Sequence, residues 1–435
     1  MDPKRKAYEL LTSEDDGRVC RDIPDEACRE QPGNFLKHVL SLGATKTGDG
    51  LADPKLVLSW LLASLGAPAA LIGFLVPIRE AGSLLPQLVT AGAIRSLPQR
   101  KWVWAAGSLV QGLAVAGMAA VTLTREGTEA GLGILALLAV FALARSACSV
   151  SYKDVLGKTV SKSTRGTATG IASTIAASGV LLYGVLLAFG VLERTVPVVA
   201  GGLLVAAALW LFAATLFSTL GEVPGATGGG GNPLTVAREQ LSMLRTDTQL
   251  VRFIAARGLL IATALAPPYL LALAGRTREQ AVGELGPFVV ASSLAAMTSG
   301  IWWGRLSDRS SRKVLVLAAL VAAAVLSATA AIGWLRPALL AGPVALPALL
   351  FVLMVSYQGV RIGRSTHIVD MAAADRRAAY TALSNTIIGV LLVVAGSLGL
   401  LAQAAGTEAV LAVFAGMCLG AAAVAAGLRE VQQED

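Results

Sequence analysis

Gly304-Arg-Leu-Ser-Asp308-Arg309-Ser-Ser-Arg312-Lys313 lies between two long apolar stretches. A degenerate copy, Gly92-Ala-Ile-Arg95-Ser-Leu-Pro-Gln-Arg100-Lys101, stands 212 residues earlier. The glycine and the closing Arg-Lys keep one register, while Ser96 occupies the position of Asp308. A basic turn repeated inside an apolar chain implies two related halves.

The rest of the chain agrees. Of its 435 residues 55% are hydrophobic and 15% charged, with a mean hydropathy of +0.67. Soluble domains carry about one quarter charged residues. Apolar runs of about 20 residues, each able to span a ~30 Å hydrocarbon core, recur along nearly the whole length. They predict an all-α membrane protein with helices at 34–62, 68–94, 102–124, 131–152, 167–190, 196–219, 251–275, 283–304, 313–335, 343–362, 379–402 and 407–428. The largest interruption, 220–250, contains Gly225-Ala-Thr-Gly-Gly-Gly-Gly-Asn-Pro233, a flexible linker, followed by an amphipathic stretch to Leu250. The predicted organisation is a polar segment 1–33, a six-helix bundle 34–219, the linker 220–250, a second bundle 251–428 and a tail 429–435.

Basic residues set the orientation. With both termini in the cytoplasm, 26 of the 36 Lys and Arg fall on that side. Five lie opposite (Arg125, Arg194, Arg276, Arg278, Arg336) and five within helices (Lys46, Lys55, Arg79, Arg145, Arg257). The net charge of +8 is therefore spent on membrane topology, and nucleic acid is not an expected partner. Hydropathy alone would draw the first helix at 56–78. The internal repeat instead puts a turn at Gly66-Ala67-Pro68 and draws Lys46, Asp49, Asp53 and Lys55 into the membrane.

Charges at that depth are informative, since each costs about 2.5–3.5 kcal/mol on insertion scales. Lys46, Asp49 and Asp53 share one helical face. Arg79 and Glu80 follow in the second helix, with Ser83, Gln87 and Thr90 on the Arg79 stripe. Such a set lines a wet cavity or neutralises itself in pairs. Thr45, Tyr152, Tyr357, Gln358 and Asn385 are further polar candidates for the cavity wall. Several cations there favour an anionic or zwitterionic solute.

The paired turns resemble the G-x-x-x-D-R-x-x-R-[RK] loop of the major facilitator superfamily. That resemblance implies two pseudo-symmetric six-helix bundles and secondary transport of a small molecule by alternating access. It also implies a cytoplasmic gate formed by Gly92, Arg100, Lys101, Gly304, Asp308, Arg309, Arg312 and Lys313. Phe141-Ala-Leu-Ala-Arg145-Ser-Ala-Cys148-Ser149 is similar to the L-x-x-x-R-x-x-Q-G pattern of proton-coupled antiporters, although Cys148 and Ser149 replace the Gln-Gly. Proton coupling through Asp49, Asp53 or Glu80 with Arg145 is what that match implies. A G-x-x-x-G-P-x-x-G-G antiporter signature is missing from the fifth helix, so symport and antiport both stay open. The expected setting is a bacterial cytoplasmic membrane, with a monomer embedded in the lipid bilayer.

Other chemistry lacks material. Gly157-Lys158-Thr159 has Tyr152 where a phosphate loop needs glycine. Two histidines and a Cys20-x7-Cys28 pair make no metal site, and the four cysteines read as reduced thiols. Asp49-x-x-x-Asp53 matches half of a membrane prenyltransferase diphosphate site, but no second aspartate-rich motif exists. The chain is not read as an enzyme, and no cofactor or metal is expected. Lipid translocation on the same fold is the alternative.

Overall fold

A computed structural model describes residues 3–12, 23, 25–87, 90, 93–94, 96–225, 227, 241–277, 285–372 and 376–432. Gly92 and most of the glycine-rich linker lie outside them. All regular structure among the described residues is helical. Ten of these helices are long and apolar enough to cross a bilayer, two fewer than expected. The shortfall is in the first and second passages, which carry the intramembrane charges.

The first passage is broken. Helix α2 (Asp25–Leu51) stops before Asp53-Pro54, and α3 (Val57–Ser64) resumes the path. Proline has no N–H to continue the ladder. The Asp53 carboxylate accepts the backbone N–H of Lys55 at 2.6 Å and of Leu56 at 3.2 Å, which fixes the turn ahead of the restart. Gly66 then turns the chain at a positive φ of 73° that other residues rarely adopt. Pro68 precedes α4 (Ala69–Leu84), and Leu65 O accepts from Gly127 N at 2.7 Å at this far turn. The turn therefore falls where the repeat puts it, and hydropathy alone misplaces it.

The N-terminal segment is less detached than its polarity suggests. Helix α1 (Pro3–Thr12) packs Tyr8 edge-on against Phe35, centroids 5.2 Å apart. Gln31 Nε2 donates to the Tyr8 hydroxyl at 2.5 Å. Cys28 is disulfide-bonded, contrary to the reduced-thiol expectation. It is only half-buried, whereas Cys148 and Cys418 are the buried free thiols to which that expectation applies.

Helices α5 (Lys101–Thr124), α6 (Gly127–Thr159), α7 (Lys162–Ala188) and α8 (Val196–Ser218) complete the first bundle around Trp60, Met118 and Trp210. The second bundle opens with another interrupted passage: α9 (Thr248–Leu259), the short α10 (Ala262–Leu265), and α11 (Pro267–Thr277) behind Pro267-Pro268. Helices α12 (Leu285–Arg309), α13 (Ser311–Leu335), α14 (Ala345–Met371), α15 (Arg377–Ala395), α16 (Leu398–Ala405) and α17 (Thr407–Ala426) follow. Interrupted helices at matching places in two repeats characteristically flank a binding site. Leu113, Leu143, Leu182, Leu320 and Leu419 are exposed on the outside, as lipid contact requires.

The bundles meet along α4 with α15 and α16, and along α7 with α12. The seam is unequal. On the face away from the chain termini, a Cβ on Gly73 would stand 2.8 Å from Gly399 Cα, and one on Gly286 would strike the backbone of Ala188. On the face carrying the termini, added Cβ atoms on Gly170 of α7 and on Gly300 and Gly304 of α12 would meet nothing within 4 Å. One end of the seam is shut backbone against backbone, while at the other α7 and α12 leave open space beside these glycines.

Candidate functional site

Three helices converge on Asp49. Its Oδ1 accepts from Arg79 Nη2 at 2.9 Å and its Oδ2 from Arg145 Nη2 at 2.6 Å. The carboxylate is 22% exposed and the two arginines 15% and 28%. Charge-assisted bonds at this depth both orient and neutralise their members. The Arg79 guanidinium also lies 4.9 Å from the Phe141 ring centroid. The charges that sequence placed separately on passages one, two and four thus form one cluster, in which two arginines share one carboxylate and a net positive charge remains.

The cluster borders a cavity of about 370 Å³ between the bundles. Lys46, Asp49, Asp53 and Arg145 line one side, with Ser173 of α7; Ser292, Ser293 and Arg361 line the other. Lys46 Nζ donates to Ser173 Oγ at 2.5 Å, and Arg361 Nη1 to Gln358 Oε1 at 3.3 Å. Arg361 was counted with the basic turns, yet it sits on the cavity wall because α14 runs straight on to Met371. It lies one helical turn beyond Tyr357, already a candidate, and that spacing was the available signal.

Glu80 differs from Asp49. It is half-buried and makes no ion pair within 4 Å among the described residues. It lies within Coulombic reach of Lys55, Arg79, Arg364 and Arg361. The first two belong to its own bundle and the last two to the other.

Among the described residues two side-chain hydrogen bonds cross the seam. Lys55 Nζ donates to the Tyr357 hydroxyl at 3.2 Å and stands 4.5 Å from the ring centroid. Asn385 Nδ2 reaches Gln87 Oε1 at 3.4 Å, while Asn385 Oδ1 accepts from Arg257 Nη2 at 2.8 Å. Arg257 Nη1 donates to Ser384 Oγ at 2.7 Å, and its buried Nε has no partner among the described residues. Ser83 turns inward to its own helix, donating to Glu80 O at 2.8 Å. Tyr152 does not line the cavity. It packs in the first bundle, its ring 5.6 Å from that of His38, because its helix face turns toward α2 and α8.

The two basic turns are held by acids that follow the last helix of each half. Glu222 accepts the N–H of Arg100 at 3.1 Å and of Lys101 at 2.8 Å, at the start of α5. Arg100 pairs with Asp154 at 2.5 Å and Lys158 with Glu222 at 3.3 Å. In the second half Glu430 accepts from Ser310 Oγ at 2.5 Å and lies 3.5 Å from Arg312, before α13. A carboxylate at a helix N-terminus meets unpaired N–H groups and the positive end of the dipole. Sequence reasoning missed both glutamates, which lie far from the turns in the chain. Asp308, Arg309 and Lys313 are exposed, and Asp308 makes no hydrogen bond or ion pair with the described residues.

Among the described residues no group of three or more His, Cys, Asp or Glu gathers as a metal site. Of the D-x-x-x-D pair, Asp49 is bonded to two arginines and Asp53 to backbone N–H groups.

No family model matches the chain, and no curated protein does. Solved structures match over almost its whole length. The nucleoside transporter NupG (D323A mutant) superposes at a TM-score of 0.69 and 12% identity, covering 91% of this chain and 100% of that one. A POT family transporter in complex with a thioalcohol-conjugated peptide gives 0.66 and 12%, covering 94% and 98%. The xylose transporter XylE from E. coli, in an inward-open conformation, gives 0.64 and 12%, covering 92% and 97%. The chain has the major facilitator fold that these structures share, with ten helices long and apolar enough to cross a membrane among the described residues.

Proposed function

We propose that the protein carries a small polar solute across the cytoplasmic membrane by proton-coupled alternating access, with both termini inside. The carrying observation is the charged cavity between bundles 34–219 and 251–428, shut at one end of the seam and open between α7 and α12 at the other. The 26-to-5 distribution of basic residues supports an open end that faces the cytoplasm. Charged walls favour a polar solute over an acyl chain, and hence transport over lipid translocation.

The proton carrier in this reading is Glu80. Asp49, Arg79 and Arg145 all belong to the first bundle, so rocking of whole bundles leaves their bonds intact. Glu80 balances cations on both sides of the seam. Withdrawal of Arg361 and Arg364 as the second bundle moves favours its neutral form, and their return favours the carboxylate. One proton moves per cycle.

Alternating access is tested by spin-label pairs at Gly170→Cys and Gly300→Cys, where added side chains meet open space. Two distance populations are expected, with their ratio set by pH. A single population unmoved by pH or solute would sink the reading.

A further inference from the structure

We infer that the cavity takes a small organic anion, a carboxylate or phosphate, held by Lys46 from the first bundle and Arg361 from the second; this rests on the transporter reading above. The cavity acids are already spent. Asp49 is bonded to Arg79 and Arg145, and Asp53 caps two backbone N–H groups. The cations are not spent. Lys46 bonds a serine hydroxyl and Arg361 an amide oxygen, and neither has a carboxylate within ion-pair distance among the described residues. A cationic solute would find no free partner here, while an anion finds two, one on each bundle.

The placement also links binding to movement. Lys46 lies within Coulombic reach of Arg361. Closing the bundles over an empty cavity brings these like charges together in a medium of reduced dielectric. An anion between them removes the repulsion and adds charge-assisted hydrogen bonds. The solute itself permits occlusion, with the Ser173 and Ser292 side chains completing the wall.

The test reads the sign of the cavity's field. Ser292→Cys places a thiol on the cavity wall, and Cys148 and Cys418 are buried. Its labelling by anionic sulfonatoethyl and cationic trimethylammonium-ethyl methanethiosulfonates is followed on full-length protein, with the parent protein as blank. Rates are normalised to free cysteine. The anionic reagent is expected to be favoured by on the order of ten-fold or more. Adding Lys46→Gln or Arg361→Gln should shrink that preference, and both together should shrink it furthest, while Arg336→Gln on the far face leaves it unchanged. Equal rates, a cationic preference, or a preference untouched by the double variant overturns the proposal. None of these outcomes alters the spin-label populations, so failure here is separable from failure of the transporter reading.

Discussion

The Lys55 ammonium lies over the Tyr357 ring at 4.5 Å and bonds its hydroxyl at 3.2 Å, tying the first passage of one bundle to the fourth passage of the other. The lysine follows the break at Asp53-Pro54, so a distortion in the first passage delivers a cation to the seam. Cation–π contacts contribute roughly 0.5–2 kcal/mol. Tyr357→Ala should therefore move the equilibrium between the two access states several-fold. Tyr357→Phe keeps the ring and should move it less. The spin-label distances report both, and an unmoved ratio in Tyr357→Ala would make the contact incidental.

The Asp49 cluster should behave as a structural pin. Asp49→Asn leaves Arg79 and Arg145 facing each other without a counter-charge. Removing one member of such a partly buried set costs about 1–3 kcal/mol. The melting temperature in detergent should fall, and adding Arg145→Gln should recover part of the loss. A double variant melting lower than the single one would contradict the pin.

The basic turns give a contrast. Glu222 is buried and satisfies two N–H groups at the start of α5, so Glu222→Ala should cost about 1–2 kcal/mol or more, as lost helix caps do. Asp308 makes no hydrogen bond or ion pair with the described residues, so Asp308→Asn should leave thermal stability unchanged. We expect it to slow the cycle, because its partners form when this face closes. Unchanged transport in Asp308→Asn would leave the turn with a topological role only.

At the entry to α9, burial raises the Asp247 carboxyl. The Tyr380 hydroxyl bond at 2.6 Å and the Leu250 N–H outweigh it and hold the group below its usual range. A depressed folded value means stabilisation present above the unfolded value of about 3.9 and lost as pH falls through the folded one. Melting should drop in that acid window, and Asp247→Asn should flatten this part of the profile. An identical pH profile in both proteins would remove Asp247 from the account.

Much of the fold was legible in the sequence because the internal repeat reports backbone topology. The turn at Gly66-Ala67-Pro68 followed from registering one half on the other, where hydropathy would have merged two helices. Partners across the bundle were not legible. Asp49, Arg79 and Arg145 were each conspicuous as charges at membrane depth, but only the helix packing shows that the two arginines share one carboxylate. Arg361 hid among loop cations, since its depth depends on how far α14 continues. Tyr152 looked like cavity material because polarity does not say which way a helix face turns. Glu222 and Glu430 act through the ends of distant helices, a relation with no local pattern.

The most direct measurement is solute uptake into proteoliposomes under an imposed pH gradient, with luminal pH followed by pyranine. The account predicts that an anionic solute enters only with a proton flux. Glu80→Gln should abolish accumulation driven by the gradient while keeping exchange of solute across the membrane. Uptake indifferent to the gradient in the wild type, or gradient-driven accumulation that survives Glu80→Gln, would contradict it.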